Sequence, residues 1–173
     1  MKTPEYIMIH HSAVSYKKNR DQFRANNSYH RKLWNFRSSL GYYLGYNYEI
    51  AKNGKVRQAR ADGETTAACY QDGMNNGKCI HICLDGNFDQ EKYTAPQLFA
   101  VRDLLKSLIS KYNIKDIIAH RDYANKSCPG MNVDIGYFKK VAGFKKEEPI
   151  SSPPEQSNAE IIKQIIELLT KLK

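Results

Sequence analysis

The sequence predicts an α/β fold in which helices flank a central mixed β-sheet. Strand-like segments alternate with helical ones, one long segment has the periodicity of a helix with a single apolar face, and an Asn-Gly pair separates two short strands. Such alternation is typical of a sheet with helices packed on its faces. The 173 residues, 41% of them hydrophobic, are sufficient for one domain with its own core.

The first half of the chain is predicted to contain strands around one helix. In order, the predicted segments are a strand at 5–11, a helix at 20–37, a strand at 45–51, its hairpin partner at 56–59, a turn-rich stretch at 61–78 and a buried strand at 79–84. The strand segments are rich in β-branched and aromatic residues. Asn53-Gly54 is typical of the tight turn that joins the two strands of a hairpin.

The second half is predicted to form a long helix, a short strand and a short helix. The long helix covers 95–112, because Thr94 can cap it, Pro96 stands in its first turn and its apolar residues recur at i, i+3, i+4 and i+7. A strand is predicted at 115–120 and a short helix at 134–142, with a polar loop between them.

The chain changes character after Phe144. Residues 145–157 contain three of the six prolines, mixed with polar residues, which predicts a linker. Residues 158–173 predict a terminal amphipathic helix with a stripe of isoleucines and leucines. That stripe is too apolar to stay in water, so it docks on the domain, binds a membrane surface or self-associates. We favour self-association through residues 158–172.

The net charge of +9 lies entirely in residues 1–144, because five lysines and five glutamates cancel over 145–173. A positive field favours polyanions such as nucleic acid, anionic lipid or an anionic cell wall. No helix-turn-helix, zinc-finger spacing or aromatic RNA motif accompanies the charge, so we expect no nucleic acid partner. No apolar stretch is long enough for a transmembrane segment, and the N-terminus does not have the pattern of a signal peptide.

Histidines end two of the predicted strands. His10 and His11 end the first, His120 ends another, and Cys128 follows across a polar loop. Strand ends of one sheet can place side chains at the same edge, and imidazole with thiolate is a zinc ligand set that leaves a fourth position for water. Neighbouring strand residues face opposite sides, so alternation alone does not decide which of His10 and His11 faces a metal. Nor does the spacing alone establish a metal site.

Four segments occur in a characteristic order and spacing. They are Ile9-His-His-Ser-Ala13, Leu44-Gly-Tyr-Asn-Tyr48, Asn53-Gly-Lys-Val56 with Arg60, and Ala119-His-Arg-Asp122 with Lys126-Ser-Cys-Pro-Gly130. In the last segment, His is followed by Lys six residues later and by Cys-Pro eight residues later. Together, these segments resemble the type 2 N-acetylmuramoyl-L-alanine amidases, a family that includes phage lysozyme-like amidases and the peptidoglycan recognition proteins. The resemblance covers roughly residues 5–140.

The resemblance implies a hydrolase with one catalytic zinc, which cleaves the amide between N-acetylmuramic acid and L-alanine in bacterial peptidoglycan. It implies that His10, His120 and Cys128 hold the zinc, with Tyr46 and Lys126 beside it. Zinc-bound water would attack the carbonyl. A phenol and an ammonium group are suited to stabilise the oxyanion or to give the leaving amine its proton, and the sequence does not divide these roles.

The resemblance also implies a substrate groove along the first helix. His30 and Trp34 lie on that helix and are candidate substrate contacts, and Arg60 is a third candidate. Trp34 in the core and Arg60 paired with a carboxylate remain alternatives. The chain departs from the family pattern at Ala68, where many relatives have His, and at Cys83, where some have a carboxylate.

The remaining cysteines and histidines are expected to be structural. A chain without a signal peptide is expected to be synthesised in a reducing compartment, so we expect Cys69, Cys79 and Cys83 to be buried thiols. His81 lies in an apolar strand and is expected to be a hydrogen-bonded core residue. His11 is expected to be packed or hydrogen-bonded.

The favoured hypothesis is a phage endolysin with a zinc amidase catalytic domain at 1–144. Such a protein would be made in the host cytoplasm without a signal peptide and would lyse the bacterial cell wall. A second hypothesis is a module that binds peptidoglycan without cleaving it. Cys128 argues against this alternative, because family members that only bind peptidoglycan typically lack the cysteine ligand. Nucleic acid binding, the third hypothesis, has only the net charge in its favour.

Overall fold

The computed structural model describes residues 1–15 and 21–146. The strands of this part are β1 (Tyr6–His11), β2 (Tyr48–Ile50), β3 (Val56–Gln58), β4 (Cys79–Leu84) and β5 (Asp116–Ala119), and its α-helices are α1 (Gln22–Trp34), α2 (Ala95–Lys111) and α3 (Ile135–Ala142). Short 3₁₀ or π turns lie at Gln71–Gly73, Met74–Lys78 and His120–Asp122. The predicted linker and terminal helix lie outside the described residues, apart from residues 145 and 146, so self-association stays a prediction.

The five strands form one mixed sheet in the order β3-β2-β4-β1-β5. β1 pairs in parallel with β4 and β5, β2 pairs in parallel with β4, and β3 is antiparallel to β2. This arrangement confirms the predicted mixed sheet flanked by helices. Among the described residues, no helix is long and apolar enough to cross a membrane.

Capping residues set the ends of the helices. Thr94 caps α2, as the sequence predicts, and the structure adds a capping box with Gln97. Asp21 caps α1 by accepting from the backbone N–H of Arg24 at 3.2 Å. Asn35 ends α1 because its φ of 46° is left-handed, so the helix is shorter than the predicted 20–37.

The two faces of the sheet differ in chemistry because strand residues alternate. One face is apolar and packs against α2 and α3; it includes Ile7, Ile9, Ile80, Ile82 and Ile117, which contact Val101, Leu105, Leu108 and Phe138 in the main core. The opposite face, which we term the polar face, includes His10, Glu49, His81 and Cys83 together with Met8. α1 lies over the polar face, where Asn26 hydrogen-bonds Glu49 at 2.7 Å.

Truncating the core side of α2 should cost much more stability than truncating its exposed side. Leu105 is fully buried in the main core, whereas Phe99 on the same helix is 54% exposed. We expect Leu105→Ala to lower the free energy of unfolding by about 2–5 kcal/mol, because it removes buried methyl groups and leaves a cavity. Phe99→Ala, the matched control, should change it by less than about 1 kcal/mol. Equal losses in urea denaturation would contradict this assignment of the core.

Candidate active site

The structure brings together the three predicted metal ligands, His10, His120 and Cys128. One possible ligand atom from each lies within 4.8 Å of the others, and all three side chains are buried. Cys128 Sγ is 3.7 Å from His10 Nδ1, and the rings of His10 and His120 are 4.6 Å apart between centroids. Two imidazoles and a thiol are a donor set that suits zinc. In residues 1–15 and 21–146, no second group of three such side chains lies this close together.

Parallel strand pairing places the two histidines at one edge of the sheet. His10 lies near the end of β1 and His120 directly follows β5, and these two strands are neighbours with the same direction. The carboxyl ends of parallel neighbours meet at the same edge, so both imidazoles reach the same point above it. His11 faces the other way, and its Nδ1 accepts a hydrogen bond from the backbone N–H of Phe88 at 3.2 Å.

Cys128 reaches this edge on a loop that is fixed by its backbone. The backbone N–H of Arg121 donates to the carbonyl of Cys128 at 2.7 Å, and the Arg121 guanidinium donates to the carbonyls of Gly130 and Val133. Gly130 has φ of 102°, and a Cβ there would lie 2.5 Å from the carbonyl carbon of Phe88, so a larger residue would displace the loop. The thiol is thereby held in place independently of a metal.

Burial sets the protonation of the ligand group. It lowers the pKa of His10 well below its usual range and that of His120 to about 4, with nearby positive charge from Lys126 adding to both shifts. Neutral imidazoles are the form that binds metals. Burial raises the pKa of the Cys128 thiol to about 11, so a bound cation is needed to make it a thiolate at neutral pH.

Tyr46 and Lys126 both lie beside the ligand group. The Tyr46 ring is 5.1 Å from the His10 ring, and burial raises the pKa of its phenol well above the usual range, so it remains a donor. Lys126 is exposed and lines a cavity of about 470 Å³ together with Tyr46, His120 and Cys128. The side chains of Tyr46 and Lys126 therefore line the same space as His120 and Cys128, and the Tyr46 phenol is hydrogen-bonded to the Cys83 thiol.

A groove continues from this cavity along α1. A second cavity of about 350 Å³ shares Ser12 and Tyr46 with the first and is lined by Asn26, Tyr29 and His30 of the helix. His30 Nδ1 accepts from the backbone N–H of Gly45 at 3.0 Å, and burial lowers the pKa of its ring to about 4. The ring is therefore neutral with its proton on Nε2, where it can donate to a ligand.

The other two candidate substrate contacts are placed differently. Trp34 is 38% exposed, so it is not a core residue, and its ring lies 4.5 Å from that of His30. Arg60 is fully buried and its guanidinium donates to the carbonyls of Leu44, Thr65 and Phe36, with a carboxylate oxygen of Glu64 at 3.8 Å. Arg60 therefore does not reach the groove. Its guanidinium instead links the separate loops that contain these carbonyls.

Glu49 is a buried acid that sequence reasoning did not single out. It is 1% exposed, its Oε2 accepts from Asn26 at 2.7 Å, and its Oε1 has no hydrogen-bond partner among the described residues. Burial raises its pKa to about 7, with a further contribution from the charge of Asp85. Glu49 pairs in register with Cys83, so the carboxyl lies one strand away from that thiol. Strand alternation could have predicted that Glu49 lies on the polar face, but only once the order of the strands was known.

The remaining cysteines match expectation. Cys69, Cys79 and Cys83 are buried free thiols. His81 is fully buried, as expected, but it also hydrogen-bonds His10, a contact that the strand pattern alone did not indicate.

A sequence profile of the family described as N-acetylmuramoyl-L-alanine amidase matches residues 1–131. The chain belongs to this amidase family. Its sequence is 30% identical to the endolysin of Enterobacteria phage T3 over 95 residues, which are 52% of this chain and 61% of that protein. It is 29% identical to the peptidoglycan-recognition protein SC2 of Drosophila simulans over 136 residues, which are 74% of this chain and 69% of that protein. The chain thus spans less than two thirds of the length of the phage endolysin.

Solved structures of the amidase family share the fold. The N-acetylmuramoyl-L-alanine amidase LysC from Clostridium intestinale URNW superposes with a TM-score of 0.68 at 26% identity, over 83% of this chain and 87% of that one. Drosophila peptidoglycan recognition protein SD also gives a TM-score of 0.68, at 22% identity over 85% and 86% of the two chains. The fold is therefore the one that amidases and recognition proteins have in common.

Replacing the buried acid of this amidase-family site should change how stability depends on pH. The Glu49 carboxyl has a raised pKa only when folded, so the unfolded chain releases this proton first as the pH rises from about 4.5 towards 7. The free energy of unfolding should therefore fall by about 3 kcal/mol over this pH range, and Glu49→Gln should abolish this fall. Urea denaturation of both proteins at pH 4.5 and 8, with a chelator present, measures the difference. The same pH dependence in both would contradict the raised pKa.

Proposed function

We propose that this protein is a zinc-dependent amidase that cleaves peptidoglycan between N-acetylmuramic acid and L-alanine. The observation that carries the proposal is the buried group of His10, His120 and Cys128 at one end of a groove. Three protein ligands leave a coordination position open, as catalytic zinc sites require. A site built only for structural zinc would instead be closed by a fourth protein ligand.

When bound, zinc would supply Lewis-acid activation of water and of the scissile carbonyl. The groove along α1 would hold the sugar and stem peptide, with the Nε2–H of His30 available to a substrate carbonyl and with Trp34 beside it as an aromatic surface. The cavity next to the ligands would then receive the amide to be cleaved. The scissile bond would then lie near Tyr46 and Lys126, which line that cavity.

Tyr46 and Lys126 would stabilise the negative charge that develops on the carbonyl oxygen. The Tyr46 phenol stays protonated because it is buried, so it can donate a hydrogen bond to the oxyanion throughout the neutral range. Lys126 adds a positive charge on the exposed side of the cavity and can donate from its ammonium group. Either side chain would be a candidate to pass a proton to the leaving amine.

The cell-wall setting is part of the same proposal. The net charge of +9 would attract the protein to an anionic wall. A phage endolysin that is made in a bacterial cytoplasm and degrades the wall from within fits this charge and the similarity to phage endolysins. Recognition without cleavage is disfavoured by the complete ligand set, which includes Cys128.

Removing the thiol ligand should abolish both metal binding and cleavage. We expect the wild type to hold about one zinc per chain and to release new L-alanine amino termini from purified peptidoglycan, and Cys128→Ser to do neither. Cys79→Ser, at a buried thiol outside the ligand group, is the matched control and should do both. Zinc analysis and end-group analysis are the measurements. A wild type that binds peptidoglycan without releasing termini would be a recognition protein, contrary to the proposal.

Removing the phenol hydroxyl should slow cleavage without affecting zinc. Tyr46→Phe is expected to lower kcat by about 10²–10³-fold, the usual cost of losing one donor to an oxyanion. Its zinc content should equal that of the wild type, because Tyr46 is not among the ligands. Tyr42→Phe, at a 39% exposed ring, serves as control and should leave kcat unchanged. Wild-type kcat in Tyr46→Phe would exclude the hydroxyl from the reaction.

A further inference from the structure

His81 contacts a candidate zinc ligand from behind. It lies in β4, is fully buried, and its Nδ1 is 2.9 Å from His10 Nε2. Its other nitrogen, Nε2, is 3.1 Å from the carbonyl oxygen of Met74. The opposite side of the His10 ring carries Nδ1, which lies 3.7 Å from Cys128 Sγ. A chain of polar contacts therefore runs from a backbone carbonyl through two imidazoles to the ligand group.

The direction of these hydrogen bonds follows from the carbonyl. A carbonyl only accepts, so His81 Nε2 must carry the proton. Burial disfavours the charged imidazolium, so His81 has one proton and its Nδ1 is an acceptor. His10 must then donate from Nε2, and the lone pair of its neutral ring is on Nδ1, the nitrogen that faces Cys128.

We propose that His81 is a positioning residue that fixes the tautomer and the orientation of His10, so that Nδ1 is ready to bind zinc. The inference deepens the proposed function and rests on it, because it concerns the same zinc site. A histidine ligand commonly donates its second ring N–H to a carboxylate, carbonyl or water. In this chain the acceptor is the imidazole of His81, which is itself fixed by its hydrogen bond to the backbone carbonyl of Met74.

His81 is itself held rigidly enough to do this. Its backbone N–H donates to Asn47 Oδ1 at 2.8 Å, and its carbonyl accepts from the backbone N–H of Asn47 at 3.0 Å. Asn47 is fully buried and directly follows Tyr46. One residue therefore ties the strand that carries His81 to the segment that carries the candidate donor. Met74 is buried as well, so the acceptor at the far end of the chain of contacts is shielded from water.

Two substitutions separate positioning from packing. His81→Leu fills the space but removes the acceptor, whereas the side-chain oxygen of Asn in His81→Asn can replace Nδ1 as acceptor for His10. We expect His81→Leu to bind zinc 10–100-fold more weakly than the wild type in competition with a chromophoric chelator. His81→Asn should recover most of that affinity. The spectrum of the cobalt-substituted protein should change in the Leu variant and approach that of the wild type in the Asn variant.

A second measurement tests the tautomer without metal and without a mutation. In the metal-free wild type, ¹⁵N chemical shifts of the imidazoles should show His10 protonated on Nε2 and His81 protonated on Nε2. A His10 proton on Nδ1 would overturn the proposal. So would a folded Leu variant that binds zinc within about twofold of the wild type, since an affinity effect of 10–100-fold is expected from loss of such a partner.

These readouts separate the inference from the function on which it rests. If zinc affinity depends on His81 but the wild type releases no L-alanine termini, the positioning role stands and the amidase proposal fails. If the wild type cleaves peptidoglycan and His81→Leu keeps full zinc affinity, the amidase proposal stands and the positioning role fails. A wild type that binds no zinc would overturn both.

Discussion

The parallel pairing of β1 with strands on both of its sides is the constraint on which the candidate site depends. It aligns His10 with Cys83 of β4 and directs β1 and β5 so that His10 and His120 emerge at the same edge. A shift of β1 by one residue would exchange the faces of His10 and His11, so that the His10 imidazole would point into the apolar core. The ligand geometry is therefore specified by sheet register, and the apolar contacts that fix this register lie on the opposite face.

The polar face is stable because nearly every buried polar atom has a partner. His10 bonds His81, His81 bonds the Met74 carbonyl, and Asn26 links Glu49 to α1. Unpaired polar groups in such a layer would be costly. Glu49 Oε1 is the exception among the described residues, and the raised pKa of this acid is the response that burial dictates. The polar face is thus almost fully hydrogen-bonded and contains one carboxyl group, that of Glu49, with a pKa of about 7.

Several features that depend on local signals were predicted from the sequence, although the left-handed cap that ends α1 at Asn35 was not. Thr94 caps α2 as expected, and His120 and Cys128, eight residues apart in the sequence, come together in the structure. Roles that depend on neighbours distant in sequence were not predictable. His81 meets His10 only because β4 lies beside β1, and Arg60 is enclosed by carbonyls from separate loops. The sheet order is not sequential, so no periodicity within one segment reveals such contacts.

Two side chains that line the cavity suit a reaction in which negative charge develops. Lys126 is positive and Tyr46 stays a neutral donor, whereas Asp89, a carboxylate that also lines the cavity, accepts hydrogen bonds from the Ser127 hydroxyl and from the backbone N–H of Met131. The carboxyl of Glu49 lies one strand further away, behind Cys83, and does not line the cavity. A carboxylate beside the ligands would oppose an oxyanion, whereas a cation and a phenol stabilise it. Hydrogen bonds from Ser127 and from the Met131 backbone lower the pKa of Asp89, which makes it a poor proton acceptor, so under the proposed function Tyr46 and Lys126 would stabilise the oxyanion.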